Sequence, residues 1–289
     1  MAQRWHPPKV ADGYLGYCLT GAHAAFLEAC RRLEVKPLGA LKRGHAGRNI
    51  GSRVRAEDGT IFWLKVGGVY SAMNRFFLGE PEAGELDGLP KPALIRNLEW
   101  RSDLVTWSAR LMSFVDAPVI ERNPWAVRRA GRVDDTWLAQ LDGALRVLAS
   151  KQTERLICIP RLVADVLTQR YGVEPPPLRE WHTAHGDLHW ANLTAPELML
   201  LDWEAWGGAP PGYDVAALIA YSATDAELVA RLEHVFADVL SSRSVQATRL
   251  YVLHHLLEST GNGWVDPALR GPVTEMMADV QSRLRNRGP

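Results

Sequence analysis

The chain has 289 residues, 47% hydrophobic and 23% charged, with 33 Lys+Arg balanced by 33 Asp+Glu. That length buries one large core or two unequal lobes, and zero net charge with no block of Lys or Arg excludes the basic stripe of a nucleic-acid binder. Apolar runs are too short for a membrane span, MAQRWHPPKVADGYLG lacks the core of a signal peptide, and Cys18, Cys30 and Cys158 suit neither a disulfide framework nor a metal knuckle, so the expected protein is soluble and cytoplasmic.

In chain order, TGAHAAFLEACRRLE (residues 20–34) sets Ala24, Phe26, Leu27, Cys30 and Leu33 near one face at helical spacing and predicts a packed helix. Short β signals follow at 37–43, 52–57 and 60–66, the last being the strongly apolar TIFWLKV. Asp58-Gly59 predicts a type I′ hairpin turn between the latter two. Residues 93–100 and 104–115 read as two more strands, with a helical or irregular insertion around 71–88. After Pro124 the period becomes helical: Trp137, Leu138, Leu141, Leu145 and Leu148 share a stripe within 136–149, and a short helix follows at 160–171. Helices resume at 214–222, 225–240, 245–259 and 267–286, with Asp225 and Asp266 placed as N-caps and Gly261 and Gly263 after a helix end. A β-rich first part and a helix-rich second part predict an α+β fold with a cleft between two lobes.

Residues 183–204 interrupt the helices with HGDLHWANL (His185–Leu193) and LMLLDWE (Leu198–Glu204). Three chemistries compete there. His182, His185 and His189 cluster as metal ligands would, and His185 and His189 are four apart, but Gly186 and Asp187 interrupt the helix such a zinc pair needs and the HExxH glutamate is missing. A polar loop with hydrogen-bonded histidines explains any one of these residues singly. It does not explain Asp187, Asn192 five later and Asp202 ten beyond that, converging on a hairpin built from the apolar run Leu198–Leu201. Unpaired carboxylates in such surroundings need a cation or a role. Phosphoryl transfer gives them one: a carboxylate to orient the acceptor hydroxyl, and an amide oxygen and a second carboxylate to hold Mg2+.

These residues resemble the aminoglycoside phosphotransferase and protein-kinase-like superfamily, in its small-molecule kinase branch. HGDLHWAN is similar to the H-G-D-x-x-x-x-N catalytic loop, LLDWE to the metal-binding segment, and Gly212–Leu218 (GYDVAAL) to the P-x-x-Y-D-L-A element. The resemblance spans roughly residues 36–260. It implies a bilobal fold with a small antiparallel β N-lobe (36–115) and a larger helical C-lobe (116–289), preceded by an N-terminal helical extension (1–35). It implies that Asp187 is the catalytic base, that Asn192 and Asp202 hold Mg2+, that His185 orients the loop and that Asp214 supports it. Trp190 and Trp203 read as packing.

The first lobe is then expected to bind ATP. Lys65, sharing a strand face with Ile61 and Trp63, becomes the phosphate-binding lysine, with Glu82 of EPEAGELDGL as its partner and Glu85 as the alternative. Gly44, Gly47 and Gly51 let a loop backbone approach phosphates. In that loop His45, Arg48 and Asn49 stand equally as phosphate contacts. The resemblance places the adenine hinge around Met112–Val115, with Met112 and Phe114 in it. DWE in place of DFG, with no activation segment after it, points away from a protein kinase and toward a small-molecule O-phosphotransferase.

The acceptor is expected to be a hydroxylated small molecule: an antibiotic such as an aminoglycoside or, as the alternative, an amino alcohol, sugar or nucleoside. Residues 215–289 carry eight Asp+Glu against seven Lys+Arg, a balance without the acidic excess a polycation would favour. Two other classes stay open at this point, a nucleotide-binding pseudokinase and a metallohydrolase built on the three histidines. The expected partners are that small molecule alone, without nucleic acid or membrane, in a monomer or dimer.

Overall fold

The computed structural model describes residues 21–44, 49–69, 79–102, 104–125, 127–130, 133–261 and 265–286. The chain divides into two compact units, the first from residues up to Glu85 together with Pro92–Asp116, the second from Leu86–Lys91 and everything from Ala117. Helix α1 (Ala22–Leu33) opens the first unit, followed by strands β1 (Val35–Pro37), β2 (Lys42–Arg43), β3 (Asn49–Ala56) and β4 (Ile61–Val69), the short helix α2 (Glu80–Ala83), and strands β5 (Leu94–Ser102) and β6 (Val105–Ser113). The strands form one antiparallel sheet in the order β1-β3-β4-β6-β5, with β2 also paired to β3.

Side chains alternate across β4, so Leu64 and Val66 face one side and Lys65 the other. Leu64, Val66, Val54, Ala109 and Leu111 join Phe26, Ala29, Cys30 and Leu33 of α1 in a single core. The helix buries Ala22, Ala25, Phe26, Ala29, Cys30 and Leu33 at the i, i+3, i+4 spacing. The helix packs on the sheet as expected for residues 20–34, although the stripe residues Ala24 and Leu27 face solvent. The turn after β3 also differs from expectation. Among Asp58 and Gly59 only Gly59 has a positive φ, at 89°, so the loop is not a type I′ turn but the longer kind that ends on a left-handed glycine. The edge strand β5 exposes Arg96, Glu99 and Arg101, charges that discourage pairing with another chain.

The second unit is helical: α3 (Asp135–Ala149), α4 (Pro160–Asp165) running into a π-helical turn over Val166–Arg170, α5 (Tyr213–Tyr221), α6 (Ala226–Val235), α7 (Ala237–Leu240), α8 (Arg243–Gly261) and α9 (Arg270–Asn286). Strands β7 (His182–Ala184) and β8 (Gly207–Ala209) pair as a small antiparallel ribbon. The predicted α3 stripe is buried, and Asp134 caps that helix by accepting from the Trp137 backbone N–H at 2.7 Å. Asp225 caps α6 in the same way, and Asp266 caps the single 3-10 turn that precedes α9. Helix α5 is buried all round from Asp214 to Ala220, packed against α8 in the main core of the unit. The run Leu198–Leu201 is not a regular strand: Leu200 is bridged to Leu193, with single backbone hydrogen bonds from Thr194 to Met199 and from Leu201 to Asn192 on either side. No helix among the described residues is long and apolar enough to cross a membrane.

Candidate active site

In the first unit, Lys65 sits on β4 directly opposite Arg110 on β6, so both side chains leave the same face of the sheet. Glu80, the first residue of α2, reaches both. Its Oε1 accepts from the Lys65 Nζ at 2.7 Å, and its Oε2 lies 2.8 Å from the Arg110 Nε in an ion pair not aligned as a hydrogen bond. All three groups are buried, with Arg110 fully so. The carboxylate beside Lys65 is therefore Glu80 and not the expected Glu82. Glu80 opens the helix two residues before Glu82, where its carboxylate reaches both cations.

Gly44 donates its backbone N–H to Asn49 across the mouth of the β2–β3 loop, and a Cβ at Gly44 would meet the Asn49 Oδ1 at 2.3 Å. Gly47, with His45 and Arg48, lies outside the described residues. Met112 is paired with Trp63 near the end of β6, and Phe114 follows it with the Arg53 guanidinium 5.8 Å above its ring.

In the second unit, the residues of the HGDLHWANL loop are tied together by hydrogen bonds. Asp214, in the first turn of α5, accepts the backbone N–H groups of His185 at 2.7 Å and Gly186 at 2.9 Å. Burial pushes its carboxyl upward, opposed by His185 and by those two donors. His185 is fully buried. Its Nδ1 accepts from the Asp187 backbone N–H at 3.4 Å, which leaves Nε2 protonated to donate to the Leu201 carbonyl at 2.9 Å. One imidazole thus links the loop to the residue before Asp202. Trp203 packs edge-on to that ring at 4.7 Å, and its indole N–H donates to Leu200.

Gly186 adopts a φ of +83°, and a Cβ there would come 2.4 Å from the Ala205 carbonyl oxygen, so this position needs glycine on two grounds. The Asn192 Nδ2 donates to the Asp187 carbonyl at 2.8 Å and approaches its Oδ2 at 3.4 Å, while the Asn192 carbonyl accepts from Leu201 at 2.8 Å. The Asn192 Nδ2 is thus engaged within the loop, and the residue is buried. The Asp187 side chain keeps 41% exposure in an otherwise buried loop. Asp202 takes a left-handed φ of +64°, uncommon for a residue other than glycine and the kind of backbone found where a side chain is aimed for function.

Glu204 was not singled out in the sequence, yet it is buried and offers a carboxylate oxygen within 4.8 Å of one from Asp202. Arg155 was also missed: its guanidinium donates to the Trp206 carbonyl at 2.6 Å and the Glu204 carbonyl at 3.0 Å, fixing the chain after Asp202. The signal for both was faint, a charge next to a motif tryptophan and an isolated arginine fifty residues away.

The histidine-metal reading fails on geometry. Among the described residues, ligand atoms of His182, His185 and His189 do not gather within 4.8 Å of one another. Both His185 nitrogens are engaged by backbone groups, and the His182 Nε2 faces the Gly212 N–H at 3.4 Å. His189 instead lies 3.7 Å from Asp187 and packs edge-on to Tyr221. Trp190 is structural, fully buried with its indole N–H on Ser222 at 2.8 Å.

No protein-family model and no curated protein sequence matches the chain. Solved structures do. An amicoumacin kinase in complex with AMP-PNP, Ca2+ and Ami aligns over 94% of this chain and 97% of its own, with a TM-score of 0.58 at 12% identity. The aminoglycoside phosphotransferase APH(4)-Ia, in a ternary complex with ADP and hygromycin B, aligns over 88% of this chain and 98% of its own, with a TM-score of 0.58 and 12% identity. An aminoglycoside-3'-phosphotransferase of type VIII covers 78% of this chain and 96% of its own, at a TM-score of 0.50 and 18% identity. The chain shares the fold of these phosphotransferases.

Proposed function

We propose that the chain is an ATP-dependent small-molecule O-phosphotransferase. The observation that carries this is the hydrogen-bonded link from Asp187 through Asn192 to Leu201, with His185 closing it, which ties a half-exposed carboxylate, an amide and the left-handed Asp202 into one hydrogen-bonded hairpin. A polar turn without chemistry has no need of this arrangement.

Asp187 accepts the proton of the acceptor hydroxyl at a carboxylate oxygen and aims that hydroxyl at the γ-phosphorus. His185 holds the Asp187 backbone N–H and Asp214 holds the two residues before it, so the carboxylate is oriented before substrate arrives. The donor set of Asn192 and Asp202, with Glu204 beside them, is all hard oxygen and fits Mg2+. When bound, the ion neutralises charge on the transferring phosphate oxygens. Lys65, held by Glu80, is the cation for the nucleotide phosphates, and Met112 to Phe114 is the segment for the adenine. The Gly44 loop backbone is the phosphate cover.

The acceptor is a hydroxylated small molecule. Ami and hygromycin B occupy structures of the same fold, which puts antibiotics first in a substrate panel, ahead of amino alcohols, sugars and nucleosides. The test is an ADP-release screen over these classes with Mg·ATP, run beside Asp187→Asn. The expected outcome is acceptor-dependent ADP release by the wild type and none by the variant. If no class of acceptor raises ADP release while zinc alone supports hydrolysis of an ester, the proposal is wrong.

A further inference from the structure

Glu80 is bonded on both sides, and this changes what Lys65 presents to a ligand. An ammonium with a carboxylate at 2.7 Å is close to a neutral pair: at distances beyond the pair's own length the two fields largely cancel. Arg110 adds a second cation 2.8 Å from the other carboxylate oxygen, so the three groups together carry one positive charge in excess.

Arg110 makes little use of its donor fork. Its strongest side-chain hydrogen bond to another residue besides the Glu80 contact is a 3.4 Å approach of Nη1 to the Ser108 Oγ, and Nη2 has no hydrogen-bond partner among the described residues. A fully buried arginine with unused donors is costly, and what it contributes here is charge.

We propose that Arg110 is a positioning residue for nucleotide binding: it neutralises Glu80, so that the Lys65 ammonium acts on phosphate with its full charge while Glu80 still fixes its location. This rests on the reading of Lys65 as the phosphate-binding lysine. Nothing in the sequence pattern pairs Arg110 with Lys65. The pairing follows from the β4–β6 register, which sets the two residues side by side on one face.

The charge argument separates from a purely structural one by arithmetic. Arg110→Met takes the cluster from +1 to 0 and leaves a balanced Lys65–Glu80 pair, an arrangement that folds because no charge is left without a partner. Arg110→Met combined with Glu80→Gln returns the cluster to +1 by removing the anion. If Arg110 acts through charge, the second substitution rescues the first. If it acts only by packing, the double variant is no better than the single one.

The experiment is calorimetric titration of the full chain with Mg·AMP-PNP, with melting curves confirming that each variant is folded. The wild type binds and Lys65→Ala weakens binding, which establishes the lysine's role independently of Arg110. Arg110→Met weakens binding about tenfold or more. The double variant recovers to within a few-fold of wild type, and Arg110→Lys, which keeps the charge, does the same. Arg110→Gln serves as the neutralising variant if the methionine form does not fold. Wild-type affinity in the neutralising variant, or a double variant as weak as the single one, overturns the proposal while leaving the kinase reading intact. Wild-type affinity in Lys65→Ala overturns the lysine's role and this proposal with it.

Discussion

Asp214→Asn is the substitution most informative about how the HGDLHWANL loop is held. The amide has nearly the shape of the carboxylate, but only one of its two atoms accepts. Its Oδ1 serves either the His185 or the Gly186 N–H, and its NH2 then points at the other donor, now 2.7 to 2.9 Å away with nothing to accept it. A hydrogen bond to a buried charged group contributes about 1.5–3 kcal/mol, and a buried donor left without a partner costs a further ~1–3 kcal/mol. Against this, burial already pushes the Asp214 carboxyl upward, so the neutral amide is easier to bury. The net expectation is a loss of roughly 2–4 kcal/mol in unfolding free energy, allowing for that offset. Urea titration followed by tryptophan fluorescence measures it. The same loop carries Asp187, and a displacement near 1 Å is expected to lower transfer by about a hundredfold. If Asp214→Asn unfolds within ~0.5 kcal/mol of wild type, the range of an ordinary surface change, and transfers phosphate at the wild-type rate, the anchoring role is refuted.

Other perturbations follow from the same geometry. Asp187→Ala is expected to reduce transfer by about a thousandfold or more, within or above the range for a lost general base, while Mg·AMP-PNP titration gives near wild-type affinity. Gly186→Ala combines a left-handed backbone with a 2.4 Å approach to the Ala205 oxygen, and urea denaturation is expected to show a loss of at least ~2 kcal/mol together with lost activity. His255 supplies a pH test: burial, with His254 beside it and Glu258 opposing, pushes its imidazole down to about 4 from an ordinary 6.5. The unfolded imidazole then takes up a proton below 6.5 while the folded one resists until about 4. Its stabilisation is complete above pH 6.5 and falls by up to ~3 kcal/mol as the pH drops to 4. Melting temperature against pH should flatten over that window in His255→Gln, and an unchanged slope would rule this group out as its source.

Much of this site is legible in the sequence because its polar residues break an apolar pattern. Asp187, Asn192 and Asp202 stand out against leucines, and Asp214 follows a turn glycine at the head of an apolar helix, so each marks its position by contrast. Glu80 was obscured by its own neighbour. Pro81 is a poor residue for a helix interior, but here it sits in the first turn, where a proline's missing N–H costs nothing and its fixed φ favours a helix start. Reading Pro81 as a start signal would have made Glu80 the first helical residue. Arg110 is visible as a charge inside Val105–Met112, but its partner depends on which strands are neighbours and in what register, a tertiary fact that periodicity does not contain. Leu198–Leu201 shows the opposite limit, since a short apolar run has the same composition whether it forms a regular strand or one arm of an irregular hairpin.

The central claim is that the chain transfers a phosphoryl group from ATP to a small-molecule hydroxyl, with Asp187 accepting that hydroxyl's proton. Its most direct test follows radiolabelled γ-phosphate in a single turnover, with the acceptor found by the ADP-release screen, for wild type and Asp187→Asn at matched nucleotide occupancy. The account predicts label in a phosphorylated small molecule with the wild type and none above background with the variant. Label reaching the same product at the same rate in both proteins would contradict it.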